Sequence, residues 1–145
     1  MLPEVLRRHP GLMLQCLIVD DSPRFLEAAR GLLERQGVAV VGVASSAMEA
    51  VRRVEELRPD VVLLDIGLGE HSGFDVAEQL HRHRPLAPRI ILMSTRAEQD
   101  YADLIADSPA IGFVAKTDLS ATAIRDLLDA DGPNTVEPVS WPRGR

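Results

Sequence analysis

The sequence predicts an α/β protein: a doubly wound (βα)5 domain on one parallel sheet. Three observations lead there. Five short apolar runs alternate with amphipathic stretches. Several runs are apolar almost throughout, as strands covered on both faces require. The alternation is regular, which calls for right-handed crossovers that place helices on both sides of the sheet.

The strand candidates are LQCLIV (14–19), VAVVGVA (38–44), VVLL (61–64), RIILM (89–93) and GFVA (112–115). After the first, Ser22-Pro23 reads as a helix cap followed by proline at the first helical position. Phe25, Leu26, Ala29, Leu32 and Leu33 then share one stripe, and Gly37 supplies the stop. Ser46 stands three residues before Glu49, a capping-box spacing. Ala47, Ala50, Val51, Val54 and Leu57 follow on one face, and Arg58-Pro59 ends that helix. Phe74, Ala77 and Leu80 mark a third helix that stops before Pro85. Tyr101, Leu104 and Ile105 mark a shorter fourth. Ala123, Ile124, Leu127 and Leu128 mark a fifth, ending at Asp131-Gly132-Pro133.

A chain of 145 residues is the size of one domain and needs no disulfide staples to fold. Its 46% hydrophobic and 26% charged residues are ordinary for a globular protein. The net charge of −6 argues against direct nucleic-acid contact, which leaves a basic footprint. The single cysteine, Cys16, sits inside an apolar run and reads as a buried thiol in a reducing compartment. No apolar run nears the roughly 18 residues of a membrane span, and no signal peptide is evident; a cytoplasmic location is expected. Residues 1–13 read as an N-terminal extension, with Met13 an alternative start, and 14–131 as the folded domain. Residues 132–145, with three prolines and no apolar period, read as a flexible tail in which Trp141 is unstructured.

In an open parallel sheet, ligands bind outside the carboxyl ends of the strands. There this sequence places Asp20 and Asp21 after the first run, Asp65 after the third, Ser94 and Thr95 after the fourth, and Lys116 after the fifth. Two unit charges about 5 Å apart repel by roughly 3 kcal/mol at an effective dielectric near 20. Three converging carboxylates therefore need compensation. A hard cation with oxygen ligands supplies it, and Mg²⁺ suits a site with few carboxylates. Lys116 adds a compact positive charge and Ser94 a hydroxyl. A carboxylate can act as nucleophile and form an acyl phosphate, with metal and lysine neutralising the phosphoryl oxygens. Asp65, at the middle strand end beside Gly67 and Gly69, is the expected nucleophile. Taken singly these residues read blandly: a strand-end aspartate commonly caps a turn, and a lone lysine is solvated. Their conjunction at successive strand ends carries the inference.

These residues resemble a response-regulator receiver domain of two-component signalling. LIVDDSPRF is similar to the family's first-strand acidic motif, VVLLDIGLGEHSG to its phosphoacceptor motif, IILMS to its switch-hydroxyl strand and GFVAK to its lysine strand. The resemblance covers Leu14 to Asp131. It implies a flavodoxin-like sheet of strand order 2-1-3-4-5 and a phosphoacceptor role for Asp65, served by a sensor histidine kinase. It further implies Mg²⁺ on Asp20, Asp21, Asp65 and the main-chain carbonyl of Gly67. Ser94 would bond the phosphoryl oxygen, Lys116 would pair with it, and Phe113 holds the aromatic switch position. The implied output surface is the face of the fourth helix, fifth strand and fifth helix, open to a phosphorylation-dependent homodimer. The downstream agent is a protein partner or an output domain lost or truncated from the chain. The implied role is that of a self-phosphorylating switch rather than an enzyme.

The resemblance has departures. Gly69 replaces a usual proline, which predicts a more mobile loop. Thr95 replaces a small residue and narrows access to the phosphoryl group. Thr117 replaces a proline that the family often holds in a cis bond, so a trans bond is expected. Two other functions compete. A phosphorylation-independent interaction module would keep the fold and lose the switch, against the complete acidic, hydroxyl and lysine positions. An aspartate-nucleophile phosphatase would carry a second acid where Gly67 stands. Arg96, two positions past Ser94 and facing the side-chain-free Gly67, is expected to shield the acyl phosphate and alter its lifetime. Arg96→Ala is therefore expected to change the dephosphorylation rate, measured by loss of label; an unchanged rate would reject the shielding role.

Overall fold

The computed structural model describes residues 13–69, 72–82 and 88–132. Strands β1 (Gln15–Val19), β2 (Ala39–Ala44), β3 (Val61–Asp65), β4 (Arg89–Ser94) and β5 (Gly112–Ala115) alternate with helices α1 (Pro23–Arg35), α2 (Ala47–Leu57), α3 (Gly73–Arg82), α4 (Ala102–Asp107) and α5 (Ala121–Asp131). The sheet is parallel throughout, in the order β2-β1-β3-β4-β5. This is the doubly wound flavodoxin-like arrangement the sequence predicts. The expected extension and tail lie outside the described residues, apart from Met13 and Gly132. No helix among the described residues is long and apolar enough to cross a membrane.

Strand alternation divides the core in two. Ile18, Leu63, Met93 and Val114 point to one face, where Leu26, Ala29 and Leu33 of α1 and Ile124 and Leu128 of α5 cover them. Val19, Leu64, Leu92 and Phe113 point to the other, against Val54 of α2 and Val76, Ala77 and Leu80 of α3. The central strand β3 is buried along its whole length, which is why its sequence shows no polar alternation. It runs one residue beyond the expected end, so Asp65 belongs to the sheet and pairs with Met93.

The helix starts follow local chemistry. Ser22 Oγ accepts from the Phe25 amide at 3.2 Å and Ser46 Oγ from the Glu49 amide at 3.1 Å. The Glu49 carboxylate reaches back to the Ser45 amide at 2.9 Å rather than to Ser46, so the capping box closes one residue early. Ser120, a cap not singled out in the sequence, receives the Ala123 amide at 3.0 Å. Helix α5 is tied at both ends by distant residues. The Gln36 side-chain oxygen accepts from the Ala121 amide at 2.6 Å. Arg89 Nη1 donates to the Gly132 carbonyl at 2.7 Å, placing a cation at the helix C-terminus, where it complements the dipole. Helix α4 departs from expectation. A 3-10 turn (Glu98–Tyr101) takes Tyr101, α4 itself buries no residue fully, and Leu104 is 54% exposed. Six residues are too few for a full amphipathic stripe.

Gly73 opens α3 directly beneath the third strand. Its amide donates to the Ile66 carbonyl at 2.6 Å, and a Cβ here would lie 2.3 Å from the Asp65 carbonyl oxygen and 2.7 Å from Ile66 Cα. Both obstacles are backbone and cannot swing aside. Gly73→Ala is expected to destabilise the protein by about 1–3 kcal/mol through overpacking, read by denaturant titration; a neutral result would mean that α3 can withdraw freely from the end of β3.

Candidate functional site

The sheet register brings the strand ends to one edge. Val19 pairs with Leu64, so Asp20 lies level with Asp65. Asp65 pairs with Met93, one residue before Ser94. Ser94 pairs with Ala115, one residue before Lys116. Alternation then assigns faces. Asp20, Asp65 and Lys116 share parity with Ile18, Leu63 and Val114, on the α1/α5 side. Ser94 and Phe113 share parity with Leu92, on the other side.

On the α1/α5 side the acids gather as expected. Asp20, Asp21 and Asp65 each offer a carboxylate oxygen within 4.8 Å of the others. Asp20 is completely buried and Asp65 is 7% exposed, whereas Asp21 is exposed. Asp20 Oδ1 accepts from the Ser22 amide at 2.9 Å, and its Oδ2 faces Lys116 Nζ at 2.5 Å. Lys116 Nζ also stands 3.6 Å from Asp65 Oδ1. Lys116 is the only lysine in the sequence; every other cationic side chain but the histidines is arginine. A compact ammonium fits between two carboxylates where a planar guanidinium would demand more room.

Burial pushes the Asp65 carboxyl above the ordinary aspartate range, and the Asp20 charge adds to the rise. Lys116 and the Gly67 amide, 3.3 Å from Asp65 Oδ1, oppose it. Lys116 thus does not outweigh the burial of Asp65 and the charge of Asp20. The site can accept a further cation: among the described residues, Asp20 Oδ2 is buried with no hydrogen bond beyond its ion pair, and no atom stands within 4 Å of a Cβ at Gly67. A small oxygen-seeking ion fits this donor set.

The Gly67 carbonyl accepts from the Gly69 amide at 3.0 Å, leaving its second lone pair. Gly69 takes a left-handed backbone conformation. Its φ of +56° is one proline cannot adopt, and its amide also reaches Asp21 Oδ2 at 3.0 Å. That contact links Gly69 to the acidic edge. On the opposite face, Ser94 is buried at 6% exposure and its Oγ accepts from the Arg96 amide at 3.0 Å. Thr95 and Arg96 are exposed. Phe113 is buried in the cluster against which Tyr101 and Ile105 pack, away from the acids. The bond before Thr117 is trans. The sequence reading missed Phe25, whose ring centroid lies 4.5 Å from Lys116 Nζ; its place in the α1 stripe marked it only as core.

The raised Asp65 carboxyl carries a stability consequence. The folded state holds this proton more tightly than the unfolded chain does. As pH rises from the ordinary carboxylate range through the raised value, the unfolded chain ionises first and stability falls. Asp65→Asn removes that cost. Without divalent metal at neutral pH its melting temperature is expected to exceed that of the wild type, by about 4 °C for each kcal/mol relieved. The gap should close as pH falls into the ordinary carboxylate range. A lower melting temperature at neutral pH would contradict the assignment of a net cost to this charge.

Comparison with known proteins agrees with this geometry. Residues 16–129 match the model of the response regulator receiver domain. The DNA-binding transcriptional activator EvgA of Escherichia coli (strain K12) is 34% identical over 103 residues, covering 71% of this chain and 50% of EvgA. The transcriptional regulatory protein LiaR of Bacillus subtilis (strain 168) is 29% identical over 119 residues, covering 81% of this chain and 56% of LiaR. The chain thus spans about half the length of these curated relatives. A two-component response regulator of the LuxR family from Aurantimonas sp. SI85-9A1 superposes with a TM-score of 0.71 at 28% identity, covering 81% of this chain and 84% of that one. A receiver-domain match over most of the chain, on a 2-1-3-4-5 sheet that gathers acids and a lysine at its carboxyl edge, establishes that this chain belongs to the response-regulator receiver family of two-component systems.

Proposed function

We propose that this chain is a magnesium-dependent phosphoacceptor switch, phosphorylated on Asp65 by a sensor histidine kinase. The observation that carries the reading is the position of Lys116, 2.5 Å from Asp20 and 3.6 Å from Asp65, at an edge where three carboxylates crowd. Such an edge is costly for a protein that does nothing with it.

In the proposed reaction an Asp65 carboxylate oxygen attacks the phosphorus of a phosphohistidine. The new O–P bond forms as the P–N bond breaks. The electron pair goes to the imidazole nitrogen, which takes up a proton from solvent. Lys116 keeps Asp65 ionised for attack and then faces the charge on the phosphoryl oxygens. Asp20, Asp21, Asp65 and the Gly67 carbonyl would hold Mg²⁺, which supplies further neutralisation of that charge. Ser94 gives up the Arg96 amide and donates its hydroxyl to a phosphoryl oxygen. Because Ser94 and Phe113 share the far face of the sheet, a shift at Ser94 reaches the cluster that Tyr101 and Ile105 line. That is the route by which phosphorylation biases the α4-β5-α5 surface, a population shift between two arrangements. The short, shallowly packed α4 is suited to such a shift.

Output passes to a protein partner, to a second copy through α4-β5-α5, or to an output domain of the kind the regulators EvgA and LiaR are named for. This domain itself makes no nucleic-acid contact in the proposed scheme, consistent with its acidic charge. It acts in the cytoplasm as a switch that modifies itself rather than as a turnover enzyme.

Phosphotransfer profiling against the host's histidine kinases tests the reading, with acetyl phosphate as a small donor. Label is expected on the wild type in magnesium, none on Asp65→Asn, and none after chelation. Lys116→Ala is expected to label on the order of 100-fold more slowly, the typical loss for one preorganised charge. A wild type that takes no label from any donor would support the phosphorylation-independent module instead.

A further inference from the structure

Four residues close a circuit at the acidic edge. The Asp20 carboxylate accepts from the Ser22 amide at 2.9 Å, and Ser22 Oγ accepts from the Phe25 amide at 3.2 Å. The Phe25 ring lies 4.5 Å from Lys116 Nζ, and Lys116 returns to Asp20 at 2.5 Å. The first helical turn therefore does more than follow the acidic pair. Pro23 and the Ser22 cap fix where α1 begins. A helical side chain leans back over the turn N-terminal to it, so Phe25 is carried toward the strand ends. On that side its ring meets the core formed with Ile18 and Leu119.

We propose that Phe25 is a positioning residue that seats the Lys116 ammonium. Lysine ends in a point charge on four flexible bonds, and fixing it is entropically costly. Asp20 and Asp65 share it at unequal distances, 2.5 and 3.6 Å. The ring face adds a third support that consumes no carboxylate oxygen. Lys116 can then stay between Asp20 and Asp65 whatever else the acids bind. A leucine at position 25 would fill the same part of the core yet offer no negative ring face. The consequence for phosphoryl transfer rests on the function proposed above; the seat itself does not.

Because Lys116 is the only lysine, selective lysine labelling gives one side-chain signal and allows a test by NMR. In the unphosphorylated wild type its ε-CH₂ protons are expected upfield of their position in an unstructured peptide, shifted by the Phe25 ring. Phe25→Leu should abolish that displacement and Phe25→Tyr should keep it. With acetyl phosphate and magnesium, Phe25→Leu is expected to label about fivefold more slowly, the size of a modest cation–π contribution, and Phe25→Tyr to recover most of the rate. An unshifted Lys116 signal in the wild type would overturn the proposal without any variant. A Phe25→Leu protein that folds and labels as fast as the wild type would also overturn it. If the wild type takes no label, the proposed function fails, and the NMR signal alone decides the seat.

Discussion

Everything at the carboxyl edge of this sheet depends on one electrostatic constraint: more negative charge is gathered there than the fold's own cations offset. Asp20 and Asp65 end adjacent central strands and are buried. Their attraction to a single ammonium relieves part of the repulsion, while burial, and after it the Asp20 charge, still pushes the Asp65 carboxyl upward. A fold selected for stability alone would place apolar residues there, since such swaps are often neutral or favourable. In the function proposed above, the surplus charge is the feature that receives a metal ion and a phosphoryl group.

The scaffold converts that local constraint into geometry. Parallel pairing puts the ends of β1, β3, β4 and β5 at successive levels, and alternation sorts their side chains between the two faces. The acids and lysine fall on the side of α1 and α5. Ser94 and Phe113 fall on the side of α2, α3 and α4. The side chains of Asp20, Asp65 and Lys116 are thereby separated from those of Ser94 and Phe113 by the thickness of one sheet. Gly73 keeps α3 in backbone contact with Asp65, and Gly69 ties the following loop to Asp21. Asp65 ends a strand buried along its whole length, whereas α4 buries no residue fully.

Much of this was legible in the sequence because the signals are local. An apolar run that ends in Asp65 names both a buried strand and the acid at its tip. Ser22-Pro23 and Ser46 announce their helices through hydrogen bonds made within three residues. The features that escaped are those set by distant contacts. Phe25 looks like any other core position on an amphipathic stripe until the fold brings Lys116 over its ring. Gly69 was marked by the proline it replaces, and only the fold shows its left-handed φ and its contact with Asp21. Tyr101 and Leu104 fitted a helical period, but a six-residue helix on a shallow surface buries neither fully.

In the proposed function this surplus of charge binds magnesium and then a phosphoryl group. Backbone NMR during titration with magnesium, followed by beryllofluoride as a mimic of the acyl phosphate, tests it most directly. The account predicts saturable shifts at Asp20, Asp21, Asp65 and Gly67 with magnesium. Beryllofluoride should then extend them to Ser94, Phe113 and the residues of α4. Weak, non-saturating shifts spread evenly over the acidic surface would contradict it.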